Sequence, residues 1–238
     1  MYYHSEIAET VPNNAEHNAA GYKAALKSVV MLKNSGNIIH RAFPGAGKPT
    51  VYIPMVYSAA TSGRGGGPAS ARPAFDPEIS GKYFNVVTDV LAKKLTGPAD
   101  DKGNPTVSPK DIICASAAKK VIVALNVSNP MVFTEFESEV DAILVGFGGD
   151  RSSWLPDKAF LEIIAGKAEP SGLLPLQMPA NMETVEKQFE DVPRDMECHV
   201  DSDGNTYNFA FGLNWSGVIK DSRTEKYGVP PVVGRPPE

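Results

Sequence analysis

Cysteine is the scarcest chemistry in this chain. Two thiols, Cys114 and Cys198, stand in 238 residues, too few for a disulfide framework and without the spacing of a metal site. The histidines His4, His17, His40 and His199 form no metal-spaced pair, so each reads as a solvated or core imidazole, and no metal or other cofactor is expected. Excess positive charge is missing as well. The net charge is −5 and no dense run of Lys and Arg occurs, which argues against nucleic acid as a partner. No stretch approaches about 18 continuous apolar residues, and the N-terminal "MYYHSEIAETVPNNAEHN" has neither a basic nor an apolar leader region. The expectation is a soluble, cytoplasmic protein with no membrane partner.

Complete nucleotide and hydrolase motifs are also lacking. "PGAGKPT", Pro44 to Thr50, has the Gly-Lys of a phosphate loop, but Ala42 stands where the first Gly belongs and Pro49 where the hydroxyl residue belongs. It also precedes a strand, whereas a phosphate loop follows one and opens a helix. "GRGGG" and "GFGG" fail the dinucleotide spacing because Pro68 and Arg151 occupy the third-Gly positions. No G-x-S-x-G elbow is present to support a serine nucleophile.

What the chain does have is the balance of an ordinary globular domain, 42% apolar and 21% charged, with 20 Pro and 21 Gly signalling much loop. Ala19, Tyr22, Ala25 and Leu26 keep helical spacing over Glu16 to Lys27, after a capping Asn13-Asn14 pair. "SVVMLKN" follows directly, and "TVYIPMVYS" at Thr50 to Ser58 reads as a buried strand. "ATSGRGGGPASARP" is expected to be a loop, "EISGKYFNVVTDVLAKKL" a helix, and "GPADDKGNPTVSPK" a second loop. "KKVIVALNV" and "VDAILVGFG" are apolar, β-branched runs typical of strands covered on both faces. A helix over Pro156 to Ala165 places Ala159, Phe160, Ile163 and Ile164 on one face. It ends at Gly166, which enters the left-handed conformation without a Cβ penalty. Pro170-Ser171-Gly172 then reads as a turn feeding Leu173, Leu174 and Leu176 into the core.

Strands alternating with helices predict an α/β fold: a mostly parallel sheet flanked by helices, as a three-layer, flavodoxin-like sandwich in a single domain. The domain is expected over residues 19–220, with an N-terminal extension at 1–18 and a Pro-rich tail at 221–238. Glu135, Glu137 and Glu139 alternate as on a solvated face. Asp150 follows "VGFGG" at a strand's C-terminal end, where open α/β sheets place ligands. With Arg151 and Trp154 it is a candidate sugar site, holding hydroxyls by charge-assisted bonds and a ring by stacking. The same Asp150 and Arg151 also suit a simple helix cap.

Four stretches together carry a family resemblance. "AALKSVVMLKN", "VDAILVGFGG", "IIAGKAEPSGLLPLQMP" and "YNFAFGLNWSGV", in that order, resemble the C-terminal α/β domain of glycoside hydrolase family 3, the β-glucosidases and β-xylosidases. The resemblance runs from about Ala19 to Val218. It implies an O-glycosyl hydrolase acting on β-linked glycosides. It also implies a retaining mechanism, in which an Asp nucleophile on a (β/α)8 barrel works with an acid/base carboxylate on a loop of the α/β domain, about 5 to 5.5 Å apart. Such a barrel needs roughly 200 residues or more and none precede Met1, so the nucleophile is expected on another chain or is missing. The strand and acid/base loop that the family places before "KKVIVALNV" also look deleted, since "DIICASAAKK" passes straight into Val121. The expected function is therefore a catalytically incomplete domain with no catalytic residue of its own, its partners a glycoside, a separate barrel and a second copy of the chain. The alternative is a non-catalytic carbohydrate-binding or interaction module.

Overall fold

The structure, a computed structural model, describes residues 15–40, 47–58, 70–88, 120–147, 155–189, 192 and 194–228. Helix α1 (Ala15–Ser28) matches the expected helix and hands over at once to β1 (Val30–Asn34). The expected strand at Thr50 to Ser58 is two strands, β2 (Thr50–Tyr52) and β3 (Met55–Ser58). Pro54 lies between them and has no N–H for a ladder. β3 pairs antiparallel with β4 (Ser70–Pro73), which ends the segment expected to be loop.

The helix expected over "EISGKYFNVVTDVLAKKL" is shorter, α2 (Pro77–Tyr83). Asp76 caps it by accepting from the Glu78 and Ile79 amides at 2.8 and 3.0 Å. It stops because Asn85-Val86-Val87 forms β5 (Asn85–Val87), parallel to β2. β-Branched residues favour that use.

β6 (Ile122–Asn126) and β7 (Ala142–Gly146) fall within the two runs read as covered strands. The main sheet has the order β6-β7-β1-β8-β9, with β8 (Leu213–Asn214) and β9 (Gly217–Val218) a two-residue-loop hairpin at one edge. The α/β class holds and the sheet is mixed. β6 and β7 run parallel, while the β7–β1, β1–β8 and β8–β9 pairings are antiparallel. Doubly covered apolar runs look alike in either direction, and a hairpin can only be antiparallel.

The two faces of the sheet are covered differently. On one, Met31, Ala142 and Leu144 pack with Ala159, Phe160, Ile163 and Ile164 of α3 (Leu155–Ile164), the four residues expected on its buried face. α1 and α2 pack on α3 on the same side. Gly166 stops α3 at φ 66°, with its amide donating to Ile163 O at 2.9 Å and the Lys167 amide to Glu162 O at 2.8 Å, the paired bonds of a left-handed helix stop. On the other face Val30, Leu32, Ile143 and Val145 meet Phe133, Phe136, Val140, Leu174, Met178 and Tyr207. Those residues come mostly from irregular chain.

Pro170 to Gly172 is irregular chain, without the expected turn. Gly172 is needed there for close approach: its amide donates to Val29 O at 3.2 Å, and a Cβ would lie 2.4 Å from that oxygen. Leu174 enters the core, while Leu173 and Leu176 are half-buried. Two helices finish the fold, α4 (Met182–Lys187) and α5 (Ser222–Tyr227), the latter within the segment expected to be a tail. Among the described residues no helix is long and apolar enough to cross a membrane.

Candidate functional site

Parallel strands end together, and their C-terminal ends are where a cleft can open in a sheet of this class. Here the pair is β6 and β7, which finish at Asn126 and Gly146; the Val127 amide then donates to Gly146 O at 2.9 Å. Gly146 lets α3 lie close, since a Cβ there would stand 2.9 Å from Phe160 Cζ. A shallow pocket results, lined by Phe75, Ala124, Asn126, Pro156, Asp157 and Phe160 together with Ala74. The Phe75 and Phe160 rings meet edge to face at 6.2 Å. One Asp157 carboxylate oxygen accepts from the Asp76 amide at 3.0 Å, tying α3 to the start of α2. An amide, a carboxylate and two aromatic rings thus line the pocket, residue types that can meet hydroxyls and the apolar face of a ring.

The residues singled out from sequence, Asp150, Arg151 and Trp154, lie outside the described residues, between Phe147 and Leu155. Cys114 and residues 111–119, most of the segment expected to carry the deletion, fall outside them too. Of the described residues that flank this stretch, Phe147 follows β7 and Leu155 opens α3. Sequence reasoning missed Asn126, Phe75 and Asp157. Asn126 carried a signal, a polar residue closing an apolar strand, whereas Phe75 reaches the site only through the packing of α2's leading segment.

A second polar group lies within the core on the face opposite the helices. Between Met31 and Lys33 the β1–β7 register shifts, and Lys33 then stands opposite Ile143. A bulge of this kind re-aims a side chain. It delivers Lys33, 3% exposed, to the buried Glu137. Lys33 Nζ pairs with Glu137 Oε1 at 2.5 Å and donates to Glu137 O at 2.8 Å, and Ser202 Oγ donates to Oε1 at 3.0 Å. Burial pushes the Glu137 carboxyl up, but the Lys33 and Ser202 donors outweigh it and hold the group below the ordinary carboxylate range.

The expectation of a solvated face at Glu135, Glu137 and Glu139 is therefore corrected at Glu137. The segment is a turn leading into a 3-10 helix (Glu137–Glu139), so Phe133, Phe136, Glu137 and Val140 point inward at three- and four-residue spacing while Glu135 and Glu139 stay exposed. Closed to solvent and committed to each other, Lys33 and Glu137 hold the architecture and are out of a substrate's reach. Glu162 plays the same part on the helical face, accepting from Tyr83 Oη at 2.6 Å and also from Tyr22 Oη, so that α1, α2 and α3 share one carboxylate. Cys198 is a free, buried thiol whose proton affinity burial raises. Such a thiol is a poor nucleophile.

Part of this arrangement is similar to known proteins. Residues 110–215 match the glycosyl hydrolase family 3 C-terminal domain. The match takes in 106 of the 238 residues, and over that region the chain resembles this domain. It includes β6, β7, α3 and the strand-end pocket's Ala124, Asn126, Pro156, Asp157 and Phe160. The chain is 30% identical over 109 residues to the probable β-glucosidase C of Aspergillus oryzae, an overlap of 46% of this chain and 15% of that protein. It is 36% identical over 94 residues to β-glucosidase C of Emericella nidulans, an overlap of 40% and 13%. The chain thus spans less than a sixth of the length of these relatives. The solved β-glucosidase D2-BGL of Chaetomella raphigera covers 84% of this chain with 36% of its own, at 15% identity and a TM-score of 0.50. At that identity the likeness is one of fold.

Proposed function

We propose that this chain carries a family 3 C-terminal domain that forms one wall of a glycosidase active site acting on β-linked glycosides. In this reading the nucleophile comes from a (β/α)8 barrel outside this chain, and the chain supplies no catalytic carboxylate. The family 3 match over 110–215 carries the reading, because it coincides with the strand ends that build the pocket. In support of an incomplete catalytic set, Asp157 is the carboxylate among the described residues that lines the pocket, and it is held by the Asp76 amide. A retaining pair needs two carboxylates about 5 to 5.5 Å apart across the scissile bond.

The chain alone is expected to release no nitrophenol from aryl β-glucosides or β-xylosides. Turnover that disappears in Asp150→Asn would overturn the proposal and make Asp150 catalytic. Titration with glucose and cellobiose measures whether the domain contributes a sugar contact by itself. Binding that weakens in Asn126→Ala would place the contact at the strand ends.

A further inference from the structure

The core holds a buried imidazole that the glycosidase reading leaves unused. His199 is 5% exposed, in a chamber closed by Phe133 and Tyr207, with ring centroids at 6.2 and 5.1 Å. Its backbone stitches two irregular segments together: the His199 amide donates to Met178 O and the Tyr207 amide to His199 O, each at 2.9 Å.

The hydrogen bonds of the chamber fix where the ring's proton sits. Thr134 Oγ1 gives its one hydrogen to Ala180 O at 2.6 Å, so the 3.3 Å contact between that oxygen and His199 Nδ1 requires a hydrogen on Nδ1. In the neutral ring Nε2 is then a bare lone pair, buried and without a hydrogen-bond partner. It faces Glu137 Oε2 at 3.9 Å, acceptor toward acceptor.

We propose that His199 is a proton-operated latch: neutral, with its hydrogen on Nδ1, it holds residues 197–207 against the sheet, and a second proton on Nε2 releases them. The charged and titratable groups facing the ring are Lys33 from β1, Glu137 from the 3-10 helix, and Asp201 and Tyr207 from its own segment. Glu137 Oε1 is already taken by Lys33 and Ser202. At 3.9 Å the remaining oxygen is beyond hydrogen-bond reach, and closing that gap means drawing the ring off Thr134 and out of its packing with Phe133 and Tyr207. A charged ring left in place would be a second cation beside Lys33 with no water to solvate it. Burial accordingly lowers the ring's proton affinity, Lys33 lowers it further, and Glu137 and Asp201 only partly offset this. A histidine with a lowered folded pKa contributes stability that is present above the ordinary imidazole range and lost as pH falls through the folded value. Glu137, held low by Lys33 and Ser202, stays ionised across that window.

Amide hydrogen exchange on the chain at pH 7.5 and pH 5.0, corrected for intrinsic rates, tests the latch. The amides of His199, Asp201 and Tyr207 are expected to lose about tenfold in protection relative to those of β1 and β7, and His199→Gln is expected to show no such differential loss. Nitrogen NMR of the wild-type ring at pH 7.5 should find the hydrogen on Nδ1, a measurement that holds even if the variant does not fold. Unchanged or rising protection at pH 5.0, a hydrogen on Nε2 at pH 7.5, or the same loss in His199→Gln would each overturn the proposal.

Discussion

Replacing Lys33 by Met keeps the stem that packs in the core and removes the ammonium that neutralises Glu137. The side chains of this pair are 4% and 7% exposed, so water cannot take the ammonium's place without opening the segment around Glu137. Breaking a buried pair from one side costs about 3–5 kcal/mol, because the remaining charge stays desolvated. Two features set the scale here. Ser202 still donates to Oε1 at 3.0 Å, which softens the loss. The Lys33 bond to Glu137 O at 2.8 Å also goes, which adds about 1 kcal/mol.

The expected cost of Lys33→Met at pH 7 is thus about 3–5 kcal/mol. A Lys33→Met/Glu137→Leu double variant should recover most of it, because the desolvated charge goes with its partner. Ser202 is exposed and can turn its donors to water. Urea titrations followed by tryptophan fluorescence measure both, and the double-mutant cycle isolates the coupling. A single variant within about 1 kcal/mol of wild type, or a double variant no better than the single, would refute the argument. Wild type should also lose its advantage over Glu137→Gln only in acid. Because the folded carboxyl sits below its ordinary value of 4.5, its contribution is complete above that value and falls away as pH drops through the lowered one.

Three smaller changes test the geometry elsewhere. Gly172→Ala sets a Cβ 2.4 Å from Val29 O, a backbone clash that no rotamer relieves; a loss of about 3 kcal/mol or more is expected in denaturant titration. Gly166→Ala forces an alanine to φ 66° and should cost about 1–2 kcal/mol with the fold unchanged by circular dichroism. Asp76→Ala removes the acceptor for the Glu78 and Ile79 amides and should lower stability by about 1 kcal/mol.

The parts of the fold legible in the sequence are those where several local signals agree. α3 has Pro156 in its first turn, a one-sided apolar face and a glycine stop, and each of these has its counterpart in the structure. β7 is a five-residue run buried throughout, and no competing pattern disguises it. The region from 50 to 87 was harder. Its described strands are three or four residues long, too short for periodicity to show, and α2 ends where β-branched residues find a partner strand 35 positions upstream, Asn85 pairing with Thr50. Local propensity has no knowledge of that partner.

The polar core was hidden for a related reason. Lys33 ends an apolar strand and Glu137 sits in an alternating acidic run, two patterns that ordinarily mean solvent. A one-residue bulge turns the first inward and a 3-10 turn does the same for the second. Neither device leaves a mark on composition. The pocket's lining was not legible: Ala124 and Asn126 come from β6, Phe75 from α2's lead-in, and Pro156, Asp157 and Phe160 from α3, segments that only tertiary packing brings together. β7 joins the two regions. Its alternate residues Ala142 and Leu144 face the helices that frame the pocket, and Ile143 and Val145 face the cluster above Lys33 and Glu137. On the proposed reading, in which the domain forms one wall of a larger active site, that wall needs to be rigid. Anchoring β7 on both faces, with a buried ion pair behind it and a close-packed helix in front, supplies that rigidity from within the chain.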